Sequence, residues 1–214
     1  MINAALYYNA IGIFKDPAHV ESYPSWPGAR PGDVIFEDVN DDKIINGLDR
    51  LRVNKSDMPI LQSGLGLNID YKNFTLSAHF QGAAGAVRYL RMESGDVGNY
   101  MKYDFDGRWT PDNTETNKAR IFNRNDEYWG SNNNTYWLHK TDYIRLKNLE
   151  IGYSMPAYIN NKLKTDNIMI YVNGYNLLTF SPDLPPGFDP EDNNSTRMNY
   201  PLPQILNFGF SVTF

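Results

Sequence analysis

The chain has 214 residues, enough for one large domain or two small ones with a buried core. Its 20 Lys and Arg residues are outnumbered by 25 Asp and Glu residues, and the formal net charge of -5 argues against nucleic acid as a partner. The chain contains no cysteine, which excludes disulfide bonds, thiolate metal sites and cysteine nucleophiles among these residues. The 15 Tyr, 11 Phe and 25 Asn residues favour a fold rich in strands and turns.

Six segments alternate apolar and polar residues with the period of two that predicts β-strands. In chain order they are a weak run over 4–14, a predicted hairpin of 64–70 and 74–81, and runs over 148–153, 168–173 and 205–214. Ile144 and Leu146 lie in the opposite phase to the run that follows them, which predicts a β-bulge near Lys147. Each run is too short for a membrane-spanning helix, which needs ~20 residues, but a membrane-spanning strand needs only ~9 to 11.

The connections between these runs alternate between long and short. The long ones are 15–59, 83–141 and 181–204, and the short ones are the hairpin turn and 155–166. Structureless loops beyond ~15 residues are uncommon in soluble domains, whereas outer-membrane barrels have short periplasmic turns and long extracellular loops. The sequence therefore predicts an all-β fold, an antiparallel segment of a transmembrane β-barrel. A soluble β-sandwich, whose strands alternate in the same way, is the alternative.

Seven segments in order along the chain carry a family resemblance. They are 31–50 (PGDVIFEDVNDDKIINGLDR), 71–82 (YKNFTLSAHFQG), 108–111 (RWTP), 143–156 (YIRLKNLEIGYSMP), 170–180 (IYVNGYNLLTF), 188–191 (FDPE) and 211–214 (SVTF). In these segments the chain resembles the C-terminal end of the SusC/RagA family of TonB-dependent outer-membrane transporters.

The resemblance implies a plugged barrel of about 22 strands in the cell outer membrane. Such a transporter is energised through TonB and works with a SusD-like surface lipoprotein that delivers glycans, oligosaccharides or peptides. Residues 1–214 would form one C-terminal portion of the barrel, with about the last six strands and long extracellular loops, while the plug and the N-terminal strands lie outside it. Because the smallest closed barrels have about eight strands, we expect the chain to be inactive alone, as a gene fragment or a separately encoded segment.

The last alternating run also has an expected role in assembly. Its apolar face includes Phe208, Phe210, Val212 and Phe214. In the resembling family, the barrel-assembly machinery reads the final strand with its terminal aromatic residue, so these four residues are the expected assembly signal. A simple buried strand end is the alternative.

An acidic segment has oxygen donors at the spacing of an EF-hand-type calcium loop. The candidate Ca²⁺ ligands are Asp38, Asn40, Asp42, the carbonyl group of Ile44 and Asp49. Lys43 stands where such loops have the glycine of the sharp turn, and Asp49 replaces a longer bidentate Glu. An acidic turn without a metal ion is the alternative. Ca²⁺ is the one cofactor that the sequence suggests.

The sequence contains no catalytic motif. His19, His79 and His139 are dispersed, and neither a metalloprotease motif nor a serine-hydrolase motif is present. We therefore expect no enzyme activity and no catalytic residues.

The long segment 83–141 is rich in aromatic residues that either contact a ligand or partner or pack the segment onto itself. They are Tyr100, Tyr103, Trp109, Tyr128, Trp129, Tyr136 and Trp137. No individual residue is predicted to bind substrate. A second candidate function is a soluble, calcium-assisted carbohydrate-binding β-domain, which would have to stay soluble and monomeric without detergent.

Overall fold

A computed structural model of the chain describes residues 5–90, 100–122, 132–192 and 202–214. In chain order its strands are β1 (Ala5–Tyr8), β2 (Ala10–Ile13), β3 (Val34–Phe36), β4 (Arg50–Val53), β5 (Leu61–Tyr71), β6 (Phe74–Ala84), β7 (Val87–Tyr89), β8 (Leu138–Lys140), β9 (Tyr143–Ser154), β10 (Asn167–Phe180) and β11 (Ile205–Thr213). Its helices are α1 (Pro17–Ser22), α2 (Lys102–Phe105) and α3 (Ala157–Leu163), with 3₁₀ turns at Gly47–Asp49 and Thr135–Trp137. No helix among these residues is long and apolar enough to cross a membrane.

The chain divides into two compact units. Among the described residues, the sheet unit comprises residues 58–86, 141–192 and 202–214, and the aromatic unit comprises residues 5–57, 87–90, 100–122 and 132–140. The grouping of residues 1–214 into a single portion of a barrel stays a prediction.

The sheet unit contains one antiparallel sheet of five long strands in the order β11-β10-β9-β6-β5. β5 and β6 form the predicted hairpin, which turns at Lys72 with a positive φ of 56°. β9 and β10 are joined through α3, which ends at Lys164 in the left-handed conformation. The all-β prediction is confirmed, and the alternating runs from residue 64 onward all lie in this sheet.

Neighbouring strands are aligned so that apolar residues share one face of the sheet and polar residues share the other. One row of paired residues crosses all five strands on the apolar face: Ile69, Leu76, Ile151, Val172 and Phe208. The adjacent row lies on the polar face: Asn68, Ser77, Glu150, Asn173 and Asn207. Because side chains alternate across a strand, this register gives the whole sheet one apolar side and one polar side.

The predicted bulge is present at Lys147. His79 pairs with Asn148 and Phe80 pairs with Leu146, so Lys147 is the extra residue in β9. The pairing of β9 with β10 shifts at the same place. The bulge reconciles the two phases of the sequence pattern, because it returns Leu146 to the face that carries the apolar residues further along β9.

The two ends of the sheet differ in the connections that they carry. The β5–β6 turn and the β9–β10 connection lie at one end, where Ser154 N donates to Asn73 O at 2.8 Å. The connections from β6 to β9 and from β10 to β11 leave from the other end, where Leu61 pairs with Ala84. Short and long connections are therefore segregated, as the sequence predicted.

The aromatic unit contains three short antiparallel pairs, β1 with β4, β2 with β3, and β7 with β8. Its buried core is dominated by aromatic side chains: Tyr8, Phe14, Trp26, Phe36, Phe122 and Trp137. The α1 helix begins after Asp16, whose side chain accepts a hydrogen bond from His19 N at 2.8 Å, with Pro17 at the first helical position.

The prediction of a sixth barrel strand over residues 4–14 was wrong. Residue 4 lies outside the described part, and the remainder forms β1 and β2, which are interrupted at Asn9 and pair with β4 and β3 instead of joining the sheet. Asn9 Nδ2 donates to Glu37 Oε2 at 2.6 Å, and Asn9 O accepts from Glu37 N at 2.9 Å. Each strand has four residues, well short of the ~9 to 11 that cross a bilayer. The described sheet thus has five strands, one fewer than expected.

Candidate functional site

The apolar face of the sheet is open over most of its area. Phe208 and Phe210 in β11 are 76% and 75% exposed. Other exposed apolar side chains on this face are Leu65, Leu67, Ile69, Phe74, Ile144, Ile151, Ile170, Leu178, Phe180 and Leu206. Within the described residues, β5 and β11 each have a strand neighbour on one side only. An apolar surface of this extent marks contact with a partner or with lipid.

Three of the four residues of the expected assembly signal lie on this same face. Phe208 pairs with Val172, Phe210 with Ile170 and Val212 with Ile168. Phe214 follows the end of β11 and is 87% exposed. The shared apolar face agrees with the sequence pattern, and the recognition of these residues by an assembly machinery stays a prediction.

The polar face carries a partly buried cluster of charged residues at the end from which the long connections leave. Arg145 in β9 is buried and donates hydrogen bonds from Nη1 to Glu191 Oε2 at 2.5 Å and from Nη2 to Asp189 Oδ2 at 2.7 Å. Its Nε donates to Thr179 Oγ1 in β10 at 2.9 Å. One guanidinium group thereby connects two strands with the 188–191 segment.

Glu191 is the acceptor at the centre of this cluster. Its Oε1 accepts from Gln81 Nε2 at 2.8 Å and from the Tyr143 hydroxyl group at 2.9 Å. Its Oε2 also lies 3.4 Å from Lys147 Nζ, so the bulge residue adds a second positive charge. Asp189 holds the local turn, because its Oδ1 accepts from Glu191 N at 2.9 Å.

The buried charge of Arg145 is stable only while its carboxylate partners are in place. The side chain of Arg145 is 1% exposed, and those of Asp189 and Glu191 are 15% and 28% exposed. A buried ion that loses its partner costs about 3 to 5 kcal/mol, since its lost hydration is no longer compensated. Sequence reasoning did not identify this cluster. The available signals were the FDPE motif and an arginine within the otherwise apolar start of β9.

Most side-chain oxygens of the calcium-like segment accept hydrogen bonds within the segment, whereas Asp38 Oδ1 is buried without a hydrogen-bond partner among the described residues. Asp38 Oδ2 accepts from Lys43 N at 2.8 Å, Asn40 Oδ1 from Asp42 N at 3.3 Å, and Asp42 Oδ1 from Ile44 N at 2.9 Å. Lys43 adopts a φ of 65°, the left-handed conformation that glycine has in the EF-hand-type turn. The segment therefore forms the sharp turn without a glycine.

Asp49 completes the capping box of the 3₁₀ turn that ends this segment, in which Asn46 is the N-cap residue. Asp49 is completely buried, and its two oxygens accept from Val39 N at 3.0 Å and Asn46 N at 2.7 Å. Ile44 O is 3.4 Å from Asn46 Nδ2. Across the described parts of the chain, no group of three or more His, Asp or Glu side chains is arranged to hold a metal ion. Calcium binding by Asp38, Asn40, Asp42, Ile44 and Asp49 stays a prediction.

The aromatic residues of the long middle segment mainly pack within the aromatic unit. Trp137 is buried, and Tyr100, Trp109 and Tyr136 pack against the same core. The Tyr136 hydroxyl group accepts from Ala119 N at 2.9 Å, and burial raises the pKa of Tyr136 to about 12. Tyr103 is more exposed, and Tyr128 and Trp129 lie outside the described residues. This packing favours the alternative in which the segment packs onto itself, instead of presenting a row of side chains that stack on a ligand.

The three histidines lie in separate elements and do not form a shared site. His19 is in α1, His79 is on the polar face of β6, and His139 is in β8. The rings of His19 and Phe14 are in a T-shaped contact, with 5.6 Å between ring centroids.

Comparison with curated proteins gives similarity over nearly the whole chain. The chain is 29% identical over 223 aligned residues to TonB-dependent receptor P3 of Formosa agariphila, covering 97% of this chain and 22% of the receptor. It is 31% identical over 220 residues to TonB-dependent receptor P26 of the same organism, covering 95% of this chain and 22% of that receptor. The predicted resemblance to TonB-dependent receptors of the SusC/RagA type is confirmed.

Solved structures with the same fold include the RagAB peptide transporter, with a TM-score of 0.66 and 21% identity over 99% of this chain and 22% of that chain. The RagAB peptide importer in its closed-closed state gives a TM-score of 0.66 at 22% identity, covering 99% of this chain and 23% of that one. No family model matches the chain. The chain spans about a fifth of the length of these relatives. They are receptors and transporters, in agreement with the prediction that the chain is not an enzyme.

Proposed function

We propose that the chain forms the C-terminal part of the barrel wall of an outer-membrane transporter. The observation that carries this proposal is the five-stranded sheet with one continuous apolar face and one polar face. In a membrane-spanning barrel the apolar face contacts acyl chains and the polar face lines an aqueous lumen. The similarity to TonB-dependent receptors supports the same location.

The two open edges of the sheet support incorporation into a larger barrel. Edge strands carry unpaired backbone N–H and C=O groups, which are strongly unfavourable in a bilayer unless another strand pairs with them. In this proposal β5 and β11 pair with strands supplied by the remainder of the transporter. The segments that pair with TonB, and the plug, likewise belong to that remainder.

The proposed cargo is a peptide or a glycan, delivered with a SusD-like lipoprotein. The name of the RagAB peptide transporter favours peptides, and the names of the two Formosa receptors specify no cargo. Uptake of labelled peptides and labelled oligosaccharides by cells producing the full-length transporter, with and without the cognate lipoprotein, tests this part of the proposal. If the cells take up neither the peptides nor the oligosaccharides, this part of the proposal is contradicted.

The location of the sheet is tested by its two faces. Because the chain has no cysteine, Phe210→Cys and Ser211→Cys each introduce a single thiol on opposite faces of β11. In the full-length transporter, made free of other cysteines and reconstituted in lipid vesicles, a thiol reagent confined to the bilayer should label Phe210→Cys, and a water-soluble maleimide should label Ser211→Cys. The reverse pattern, or equal labelling of both thiols by the water-soluble reagent, would refute the proposed location.

The alternative is a soluble, calcium-assisted carbohydrate-binding β-domain. It requires the isolated chain to remain a soluble monomer without detergent. The exposed apolar face and open edges predict aggregation or a need for detergent instead. Sedimentation of the isolated chain in buffer and in detergent distinguishes the two functions, and a stable monomer in plain buffer would favour the alternative.

A further inference from the structure

The first part of the connection after β10 turns back onto the polar face of the sheet. We call residues 181–192 the FDPE segment. Its start is held where the Ser181 hydroxyl group donates to Asp142 O at 2.9 Å, and Leu184, Pro185 and Pro190 are buried. Its end reaches β6 and β9 through the contacts of Glu191. The segment is therefore attached at both ends of its described length.

The second attachment includes a set of charged contacts. Arg145 binds both carboxylates of the motif, and the Asp189 carboxylate also fixes the backbone of Glu191. The planar guanidinium group offers several donors in a fixed fork, which suits simultaneous contact with two carboxylates. A lysine at position 145 has a single ammonium group and does not reproduce this geometry.

We propose that Arg145 is a latch residue that holds the FDPE segment as a strap across the polar face. Part of the wall on that face is then made by the strap instead of by the strands. Loss of the ion pairs should release the strap while leaving the ladder of the five strands in place, because the strands are held by their own backbone hydrogen bonds. In the proposed transporter this strap would line the lumen, but the latch itself does not depend on that location.

Leu184 provides a probe of the strap that is separate from the latch. It is 9% exposed and lies in the FDPE segment, away from the charged cluster in sequence. In a full-length transporter carrying this chain and made free of other cysteines, we expect slow maleimide labelling of Leu184→Cys. Labelling of a buried thiol follows the population of the open state when reclosing is fast, so release of the strap raises the rate.

The key comparison uses Arg145→Met, with Arg52→Met as the matched control. Arg52 is an exposed arginine in β4, within the aromatic unit. We expect Arg145→Met to accelerate labelling of Leu184→Cys at least tenfold and Arg52→Met to leave it unchanged. Equal labelling rates in these two variants would overturn the proposal.

Two further measurements separate release of the strap from general unfolding. Ser211→Cys lies on the polar face of β11, outside the strap, and its labelling should stay the same in every variant. Glu191→Gln keeps the shape of the side chain and removes its charge. It should therefore accelerate the labelling of Leu184→Cys by a smaller factor than Arg145→Met does. If Arg145→Met changes the labelling rates of both Leu184→Cys and Ser211→Cys, the Glu191→Gln variant becomes the deciding test. If Glu191→Gln then fails to accelerate labelling of Leu184→Cys without changing that of Ser211→Cys, the proposal is overturned.

The latch also predicts non-additivity. Once Arg145→Met has removed the shared partner, adding Glu191→Gln should produce little further acceleration, because the two groups act in one interaction. Independent, additive effects of the two substitutions would contradict a latch. Failure of the latch is distinguishable from failure of the proposed transporter location, which is tested by the face-specific labelling of β11.

Discussion

Replacing Phe208 by arginine should destabilise the barrel in lipid far more than replacing its neighbour Asn207 by arginine. The two residues are adjacent in β11 and lie on opposite faces of the sheet. Phe208 is 76% exposed on the apolar face. Asn207 lies on the polar face, where its Nδ2 donates to Asn173 Oδ1 at 3.0 Å. In the proposed barrel wall, the same new side chain is thus placed in lipid in one variant and in water in the other.

The expected difference follows from two contributions. An arginine facing lipid near the bilayer midplane costs about 2 to 4 kcal/mol. Removing Phe208 from an apolar environment costs about 1 to 2 kcal/mol more, since a fully buried Phe contributes about 1.5 to 3 kcal/mol and 76% of this side chain is available to lipid. The total loss is about 3 to 6 kcal/mol, at least about a hundredfold in the folding equilibrium. Asn207→Arg loses about one exposed hydrogen bond, roughly 1 kcal/mol.

Denaturant titration of the full-length transporter in phospholipid vesicles measures this difference. Tryptophan fluorescence follows unfolding, and equal denaturant slopes in the variants justify comparing their free energies of unfolding. Equal losses in the two variants, or a larger loss for Asn207→Arg, would refute the assignment of the lipid-facing side. A large loss for Phe208→Arg that persists without lipid or detergent would favour a soluble interior instead.

Three further predictions concern packing, assembly and metal binding. Gly209→Ala would place its Cβ atom 2.4 Å from Tyr171 Cζ and should cost about 1 to 3 kcal/mol of unfolding free energy in vesicles. Gly66→Ala has nothing within 4 Å and should have the smaller effect; equal losses would contradict the packing argument. Deleting Phe214 from the full-length transporter should reduce the amount inserted in the outer membrane, and unchanged insertion would remove its assembly role. If the segment binds calcium, calcium at a hundred times its dissociation constant should stabilise the protein by about 2.7 kcal/mol. Asp38→Asn should reduce the calcium-dependent rise in melting temperature. If calcium has no effect on the melting temperature, the segment is an acidic turn without a metal ion.

Much of the sheet was predictable because its signals are local. The period of two sets the face on which each side chain lies, and the phase change between Leu146 and Leu149 located the bulge. The same local reading failed for residues 4–14, where alternation alone did not reveal the break at Asn9 or the short partners β3 and β4. A weak alternating run specifies a strand but does not specify which strand pairs with it.

The candidate site was less predictable than the sheet because it joins distant parts of the chain. Arg145 and Glu191 are 46 residues apart, and neither residue type nor local spacing indicates that they meet. The calcium-like segment is the opposite case: its spacing suggested a metal site, and in the structure one oxygen each of Asp38 and Asp42 accepts from the backbone of the same turn. Short polar side chains form such turns readily, so the same sequence pattern serves both purposes.

By itself, the sequence determined the alternation of faces, the position of the bulge and the separation of short from long connections, because these depend on strand period and on distance along the chain. The tertiary structure alone decided which strands are neighbours, the folding of the FDPE segment onto Arg145 and the burial of Trp137 in the aromatic unit. Those features arise from contacts between residues far apart in sequence, whose free energy is gained only when the chain has brought them together.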